Sequence, residues 1–478
     1  MKNIYKLLLL SLTLLVAISC EEMNEGVNEN PNDILIGDVE ERLFLTGGML
    51  ANVQVQSGHL NRIGGMFSGQ LIGYSSLYSN IYGFSLSSAE SNGTWNALYV
   101  GVLTNMRHII ANSNNDLLRG IAMIVEAHAF GTAASLFGRL PYTEAGNVEE
   151  FPNPNFDSQV AVYTAAIARL DEGISVLNGT SAGSIPEDIY FGGDKNKWIA
   201  AANTLKARFH LHQKNYPQAL AAAQNGISSA DGDMKYIPRD QPQDSWNLFF
   251  TILEGSRGGD IGNSDGGVDS YLVQLLDPAN AQSRNNAKTV ETARHGYYKI
   301  NPESGSANDG IIAKLEPQNL VTYFENKLIM AEAAAREPSG GLADGLPHLN
   351  DVRAWLNGGG NLNSNYIGLA HRYDPYVAAD FAAGGIENQD NVAANTAFLR
   401  EVIEERYVSG FGMHMPFNDA RRLHETPPAS EAVPFRYVGR ESETRLPQRM
   451  LWANIELNSN SNIPEDVPGL FDATEVNQ

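Results

Sequence analysis

The sequence predicts a mainly α-helical protein, in which tetratricopeptide-like helix pairs form a scaffold that carries long irregular loops. Three observations support this prediction. Several stretches place apolar residues at helical spacings. Two pairs of these stretches are separated by only a few residues, and convincing alternating strands are scarce. With 478 residues, 43% of them hydrophobic, the chain is long enough to bury a large core.

The predicted helices follow from apolar periodicity and from residues that begin or end helices. The stretch 116–137 starts at Asp116, a suitable N-cap, and stops at Gly138, with Pro141 beyond. The stretch 157–177 starts at another Asp. The predicted helices are 95–111, 116–137, 157–177, 198–213, 217–228, 320–336, 342–356 and 394–409. Short strands are expected around 71–86 or 435–438.

The pairing of helices suggests a repeat. In 201–228, a helix that carries Leu205 and Phe209 is followed by Tyr216-x-x-Ala219-x-x-x-Ala223, whose small residues allow two helices to pack closely. This resembles the tetratricopeptide unit, a helix-turn-helix of about 34 residues. Long loops are predicted at 138–156, 229–320, 357–394 and 424–478, and loops of that length usually carry function.

Composition excludes several classes of protein. The formal net charge of −22 disfavours a nucleic-acid partner, because phosphate binding needs a basic face. The chain has a single cysteine, so it contains no intrachain disulfide. No run of about 18 or more apolar residues is present, which excludes a polytopic membrane protein.

The N-terminus has the pattern of a lipoprotein signal. Lys2 and Lys6 precede an apolar run over 7–18, which is too short to span a bilayer and suits a signal peptide. The run ends at Ala17-Ile18-Ser19-Cys20, which resembles a bacterial lipobox although many lipoboxes have Leu where Ala17 stands. We therefore predict cleavage before Cys20 and lipidation of its thiol. The alternative is an ordinary secretory signal.

The segment after Cys20 is acidic and polar, with the sequence Glu21-Glu22-Met23-Asn24-Glu25. It is predicted to be a flexible tether. It also resembles the export signal that sends lipoproteins of the Bacteroidetes to the cell surface, and the alternative is a solvated linker. The predicted organisation is a signal peptide at 1–19, a tether at 20–32 and a single binding domain at 33–478.

The sequence contains no motif that meets the structural requirements of a known catalytic mechanism. Two Gly-x-Ser-x-Gly strings surround Ser181 and Ser264, but neither has the preceding strand and following helix that this nucleophile needs. Glu404 and Glu405 are adjacent on a predicted helix and point about 100° apart, so they cannot flank one glycosidic bond. The sequence therefore predicts no enzymatic activity and no cofactor.

A weak calcium candidate lies in a glycine-rich loop. Asp260, Asp265 and Asp269, with Asn263, supply the oxygen ligands that Ca²⁺ prefers. The spacing does not fit an EF-hand, and the alternative interpretation is a cluster of turn residues.

An ordered series of segments is similar to the SusD/RagB family of outer-membrane nutrient-binding lipoproteins. The segments are Asn28 to Asn32, Leu136 to Tyr142, Trp198 to Arg208, Ile329 to Ala333 with Leu349 to Arg353, Glu404 to Arg406 with Gly412 to Arg422, and Arg445 to Gln448 with Asn454 to Asn458. The series covers almost the whole mature chain. Two segments depart from the family pattern: 412–422 lacks an Arg-Trp pair, and Gly138-Arg139-Leu140-Pro141-Tyr142 lacks an acidic residue.

The resemblance implies four tetratricopeptide-like helix pairs under a loop-rich region. It also implies a lipid-anchored protein on the cell surface that binds an oligosaccharide, or a peptide, and hands it to a SusC-like TonB-dependent barrel. Two alternatives remain open at this point: a lipid-anchored surface glycoside or peptide hydrolase, and a tetratricopeptide-type scaffold that binds only proteins.

Four aromatic residues are candidates for ligand binding. Aromatic faces pack on the C–H faces of sugars while neighbouring polar groups satisfy the hydroxyls. Tyr74, Tyr78, Trp246 and Tyr297 lie in regions that match the ligand-binding loops of the family, and the alternative for each is packing. In contrast, Trp95, Trp198 and Trp355 lie on apolar helix faces and are predicted to be core.

Overall fold

The computed structural model of the chain describes residues 40–241, 245–424 and 431–478. The predicted signal peptide, Cys20 and the tether lie outside the described residues. The strands, each two to four residues long, are β1 (Ile72–Gly73), β2 (Met234–Tyr236), β3 (Ile261–Gly262), β4 (Ser264–Asp265), β5 (Val268–Asp269), β6 (Thr289–Val290), β7 (Gln318–Val321) and β8 (Arg372–Tyr373).

Helices make up most of the regular structure. They are α1 (Glu41–Ser57), α2 (His59–Phe67), α3 (Ser76–Tyr82), α4 (Asn92–Asn96), α5 (Thr104–Asn112), α6 (Asp116–Phe137), α7 (Gln159–Gly179), α8 (Lys195–His212), α9 (Tyr216–Ala223), α10 (Leu248–Glu254), α11 (Tyr271–Leu276), α12 (Thr292–Tyr298), α13 (Tyr323–Arg336), α14 (Leu342–Asn357), α15 (Ala378–Phe381), α16 (Ala394–Ser409), α17 (Met415–Arg422) and α18 (Asn454–Ser459). The predicted mainly helical class is therefore confirmed.

The long predicted helices are confirmed with small shifts at their ends. The stretches 116–137 and 394–409 have the predicted bounds, as α6 and α16. π-Helical turns at Ala97–Leu103 join α4 to α5. The predicted helix 320–336 begins only at Tyr323, because Gln318–Val321 forms strand β7 and a capping box of Thr322 and Glu325 starts α13.

Two predicted helix caps were wrong. Asn115, not Asp116, is the N-cap of α6, since its side chain accepts hydrogen bonds from two amides of the first turn. Ser158, not Asp157, caps α7. The carboxylate of Asp157 instead accepts from the backbone amides of Tyr142 and Thr143 and ties the loop after α6 to the start of α7.

The predicted strand regions were also wrong for the most part. Only Ile72–Gly73 is extended within 71–86, and helix α3 follows it. The segment 435–438 forms no strand. Helices α1 and α2 were not predicted, because glycines and buried polar residues such as Asn52 and Gln56 interrupt their apolar periodicity.

Consecutive helices pack on each other and form the predicted scaffold. The packed pairs are α6 with α7, α8 with α9, α13 with α14, and α16 with α17, and α13 also packs against α9 and α16. The small residues singled out in the repeat are buried: Ala219 and Ala223 of α9 lie in one apolar cluster with Ala207 and Leu211 of α8, and this cluster also includes residues of α13. The repeat interpretation is therefore confirmed for this unit.

One glycine explains how closely two scaffold helices approach. A Cβ on Gly131 of α6 would lie 2.1 Å from the ring of Phe209 on α8. Phe209, on the first helix of the 201–228 unit, thus packs against the bare backbone of α6. By length and composition alone α6 could cross a membrane, but its apolar stretch is entirely buried inside the protein, as expected for a core helix.

Buried ion pairs fix the helices relative to each other. Arg208 of α8 donates to Glu325 of α13, with a distance of 2.7 Å from Nη2 to Oε2. Further along α13, Glu332 accepts from three guanidinium groups, those of Arg336, Arg406 and Arg422. Such pairs specify the arrangement of the helices, because separating the partners would leave an uncompensated buried charge.

The inserted segment 229–320 contains short elements rather than one long irregular loop. Strand β3 pairs antiparallel with β1, with Ile72 opposite Gly262, and β2 pairs with β7. Strands β4 and β5 form a hairpin, and β6 pairs with β8. These ladders attach the inserted segment, with α10, α11 and α12, to the scaffold. The candidate site lies between this segment and helices α1 and α2.

Candidate ligand-binding site

A pocket lies between the helical scaffold and the inserted segments. Its empty space, open mouth included, is about 740 Å³. Its wall is formed by the junction of α1 and α2, the start of α10, the end of α12, and the segments 311–319 and 409–413. The pocket therefore combines residues that are far apart in the sequence.

Aromatic rings form part of the wall. Tyr297 and Tyr298 lie next to each other with ring centroids 5.3 Å apart, and Phe411 meets Tyr298 edge-on at 5.4 Å. Phe249 contributes a further ring. The hydroxyl of Tyr297 donates to Glu316 Oε1 at 2.8 Å. Burial, together with that carboxylate, raises the pKa of Tyr297 well above its usual value, so its ring stays neutral.

Some polar groups of the wall are occupied by the protein itself. Asn247 caps α10 and donates to the backbone carbonyls of segment 311–316. Gln70 donates to the carbonyl of Tyr407 and Ser409 donates to Glu405. These hydrogen bonds connect the segments that form the pocket wall. The donor groups that form them are therefore not available to a ligand.

Other polar groups of the wall have no partner of their own. Ser57 Oγ and Asn61 Nδ2 are buried and form no hydrogen bond within the described part of the chain. Asn319 forms no side-chain hydrogen bond there either, and Asn361 only accepts one, from Lys235 at 3.4 Å. Buried polar groups are normally paired, so unpaired ones that line a cavity mark a place for a ligand or water.

Arg62 is the only charged side chain among the described residues that line the pocket. It is 6% exposed. Its Nε donates to the hydroxyl of Tyr78 at 3.1 Å, and its guanidinium lies 5.8 Å from the ring centroid of Phe249. In the described part of the chain its side chain forms no ion pair and no other hydrogen bond.

Arg62 stands at one end of a chain of hydrogen bonds that continues through Tyr78 and His59 to Glu90. Tyr78 accepts from Arg62 and contacts His59 Nδ1 at 3.1 Å, and His59 Nε2 contacts Glu90 at 2.8 Å. All three contacts are satisfied when His59 is neutral and carries its proton on Nε2. Burial and the charge of Arg62 lower the pKa of His59, although Glu90 opposes the shift.

The four predicted ligand residues occupy different places. Tyr297 lines the pocket, and Tyr78 is buried behind it and holds Arg62. Tyr74 donates to the carbonyl of Val268 on the β4–β5 hairpin, outside the pocket wall. Trp246 lies under the Lys314 ammonium, 4.4 Å from its ring centroid, and is not part of the wall either. The structure thus brings two of the four to one site.

The calcium candidates do not form a cage of carboxylates. Asp260 accepts from Ser75 Oγ at 2.6 Å and pairs with Arg257. Asp265 and Asp269 lie on the β4–β5 hairpin, which turns at two glycines with positive φ. No group of three or more His, Cys, Asp or Glu that could hold a metal is found in residues 40–241, 245–424 and 431–478. Calcium binding stays a prediction.

Glu404 and Glu405, which were rejected as a catalytic pair, do not line the pocket. Glu405 is fully buried and pairs with Arg294 at 2.7 Å and Arg284 at 2.9 Å. Burial disfavours its charged form, but the two guanidinium groups more than offset this and hold its pKa well below its usual value. Glu404 pairs with Arg284 as well. These carboxylates are structural.

The residues Ser57, Asn61 and Arg62 were missed by sequence reasoning. Their segment has no aromatic residue and no recognised motif. One signal was available: between residues 43 and 106 the only charged side chains are Arg62 and Glu90. An isolated arginine in a long uncharged stretch suggests burial, and the structure places both charges in one network.

Comparison with known proteins agrees with this architecture. The model of the SusD-like family, described as starch-binding and associating with the outer membrane, matches residues 41–412. No curated protein matches the sequence.

Solved structures with the same fold come from Bacteroides and Flavobacterium species. A SusD/RagB family protein from Bacteroides thetaiotaomicron is 20% identical with a TM-score of 0.64, over 89% of this chain and 95% of that one. A SusD homologue from Bacteroides uniformis is 17% identical with a TM-score of 0.65, over 91% and 99%. A chitin-binding SusD homologue from Flavobacterium johnsoniae is 18% identical with a TM-score of 0.63, over 90% and 97%. With the family model matching most of its length, the chain belongs to the SusD/RagB family.

Proposed function

We propose that the protein is a lipid-anchored cell-surface binding protein that captures an oligosaccharide and delivers it to a SusC-like TonB-dependent barrel. The observation that carries the proposal is the pocket, in which aromatic rings stand beside polar groups that have no protein partner. A sugar offers C–H faces for the rings and hydroxyls for the amides. Membership in a family described as starch-binding supports the same ligand class.

An oligosaccharide suits the pocket better than a peptide. A peptide in an extended form is commonly held by main-chain hydrogen bonds to a sheet edge. The described elements at the pocket offer only the short β2–β7 ladder, whereas Asn61, Asn319 and Asn361 offer side-chain amides. The relative from Flavobacterium johnsoniae, which is chitin-binding, further supports a glycan.

The hydrolase alternative has no support among the described residues. No Asp, Glu, His or Cys lines the pocket, although a glycosidase needs two carboxyl groups about 5–10 Å apart. Ser264 lies in a hairpin strand rather than on a strand-to-helix turn. The scaffold alternative predicts binding of proteins only, and a measured affinity for a glycan would decide against it.

The mature protein is expected to bind at least one oligosaccharide without converting it. Asn319→Ala should weaken this binding about 2- to 10-fold, because one side-chain hydrogen bond is worth about 0.5–1.5 kcal/mol. Isothermal titration calorimetry measures the affinity and chromatography of the incubated glycan reveals products. Asn112→Ala, at an exposed position of α5, is the matched control and should bind as the wild type does. Release of shorter sugars would establish a hydrolase instead.

Anchoring through Cys20 is tested in the native host. We expect the wild type in the outer-membrane fraction and Cys20→Ser in the soluble fraction, because acyl chains on Cys20 are the proposed membrane contact. Surface protease treatment of whole cells reports exposure, and copurification of a TonB-dependent barrel with the wild type tests the partner. A wild-type protein found free in the medium would favour the ordinary secretory signal.

A further inference from the structure

Arg62 differs from the other buried arginines in what it contacts. Arg208, Arg294 and Arg406 are each paired with a carboxylate. Arg421, which has no carboxylate partner in the described part of the chain, donates to the backbone carbonyls of Phe417, Ser135 and Gln448. Arg62 has five N–H donors, as every arginine does, and uses one of them.

Most of the Arg62 side chain is removed from water, and no opposite charge contacts it, which is energetically unfavourable for a cation. The acidic residues nearest in the network have other partners. Glu90 is bound by His59, and Glu316 is bound by Tyr297 and Asn363. No described carboxylate therefore contacts the guanidinium of Arg62 directly.

The donors around Arg62 come from one short segment. Ser57 ends α1, and Asn61 and Arg62 lie in the first turn of α2, with Gly58 between the helices. Ser57 Oγ and Asn61 Nδ2 are buried and unpaired, and both residues line the pocket beside Arg62. A hydroxyl, an amide and a guanidinium that line the same pocket are donors of the kind that an anionic group with two or three oxygens accepts from.

We propose that the sugar bound in this pocket carries an anionic group, the carboxylate of a uronic acid or a sulfate ester, and that Arg62, Asn61 and Ser57 hold it. The proposal rests on the proposed function, because it names the class of glycan for the same pocket. The planar fork of Arg62 can bind a carboxylate through two parallel hydrogen bonds. The rings of Phe249, Tyr298 and Phe411 remain available for the sugar itself.

The test compares acidic glycans with matched neutral ones on the full mature protein. Calorimetry is run with uronic-acid oligomers and their carboxyl-reduced counterparts, with O-sulfated oligomers and their desulfated counterparts, and with neutral chito- and malto-oligosaccharides. We expect at least one anionic oligomer to bind about 10- to 100-fold more tightly than its neutral counterpart, as charge-assisted hydrogen bonds require.

The variant Arg62→Gln should remove this preference while neutral affinity stays within about two-fold. Arg62→Lys should restore only part of it, because lysine keeps the charge but lacks the fork. Arg119→Gln, on the exposed side of α6, is the control and should leave the preference unchanged. If Arg62→Gln does not fold, the affinities of the wild-type protein for the matched anionic and neutral oligomers still test whether the pocket prefers an anionic sugar.

Each outcome separates the two proposals. A preference that depends on Arg62 supports the anion site, and the carboxylate and sulfate pairs identify the group. Binding of neutral glycans with equal affinity to their anionic counterparts overturns the anion site and leaves the proposed function intact. Binding of an acidic peptide such as triglutamate and of no glycan, or of nothing in the panel, overturns both.

Discussion

Replacing Glu332 by glutamine is expected to lower the free energy of unfolding by about 3–5 kcal/mol, the range for removing one partner of a buried ion pair. Glu332 is fully buried on α13 and accepts from Arg422 Nη1 at 2.7 Å, from Arg336 Nε at 2.8 Å and from Arg406. Glutamine preserves the shape but leaves the guanidinium groups without this counter-charge. Urea denaturation followed by circular dichroism measures the change.

A surface pair of the same chemistry provides the control. Glu172 pairs with Arg169 on α7 but is 56% exposed. Glu172→Gln should change the free energy of unfolding by less than about 1 kcal/mol, because water already screens the pair. Equal losses for Glu172→Gln and Glu332→Gln would contradict the assignment of the stabilisation to the buried cluster.

The same carboxylate makes stability depend on pH. Burial opposes ionisation of Glu332, but Arg422, Arg406 and Arg336 more than offset it and hold its pKa well below the usual value. A depressed native pKa means that its contribution is complete above about pH 4.5 and is lost as the pH falls below that value. Between about pH 5 and 3 the unfolding free energy of the wild type should therefore fall more steeply than that of Glu332→Gln.

Trp198→Ala is expected to cost about 3–5 kcal/mol, the range for deleting a large aromatic side chain from a core. Trp198 on α8 is fully buried, and its Nε1 donates to Asp188 Oδ2 at 2.7 Å. The ring of Phe191 packs edge-on against it at 5.3 Å. The substitution removes a large packed ring and one partner of a buried carboxylate, so the thermal midpoint should drop by many degrees in calorimetry.

Trp355 provides the matched comparison for Trp198. Both tryptophans were predicted to be core, but Trp355 is only half-buried and stacks on Phe324 with ring centroids 5.4 Å apart. Trp355→Ala should therefore destabilise the protein clearly less than Trp198→Ala. A larger loss of stability for Trp355→Ala than for Trp198→Ala would contradict the expectation that the more buried tryptophan contributes more.

Several of the segments that carried the family resemblance proved to be structural. Glu332, Arg406 and Arg422 come from three of those segments and meet in one buried cluster. The segment around Leu136 and Gly138 is similarly bound by the C-terminal segment, since Met450 donates its amide to the carbonyl of Leu136. Such residues are tied to the fold by their partners, and this is why they reveal the family but not the ligand.

The ligand-binding prediction was limited by what sequence patterns can show. Tyr297 was singled out and lines the pocket, but Tyr74 and Trp246 lie elsewhere. An aromatic residue in a loop looks the same in sequence whether it packs against its own loop or faces a ligand. Arg62 was passed over, because it is distinguished by the absence of a carboxylate partner, and such partners are known only from the folded chain.

The sequence by itself determined the helical class, the main helices and the family, together with the prediction of a lipid signal at Cys20. These follow from local periodicity, local caps and an ordered set of short segments, all of which are visible along the chain. Only the tertiary structure decided that Ser57, Asn61 and Arg62 share a pocket with Tyr297 and Phe411. The physical reason is that burial and pairing depend on contacts between segments up to about 350 residues apart, which no local pattern encodes.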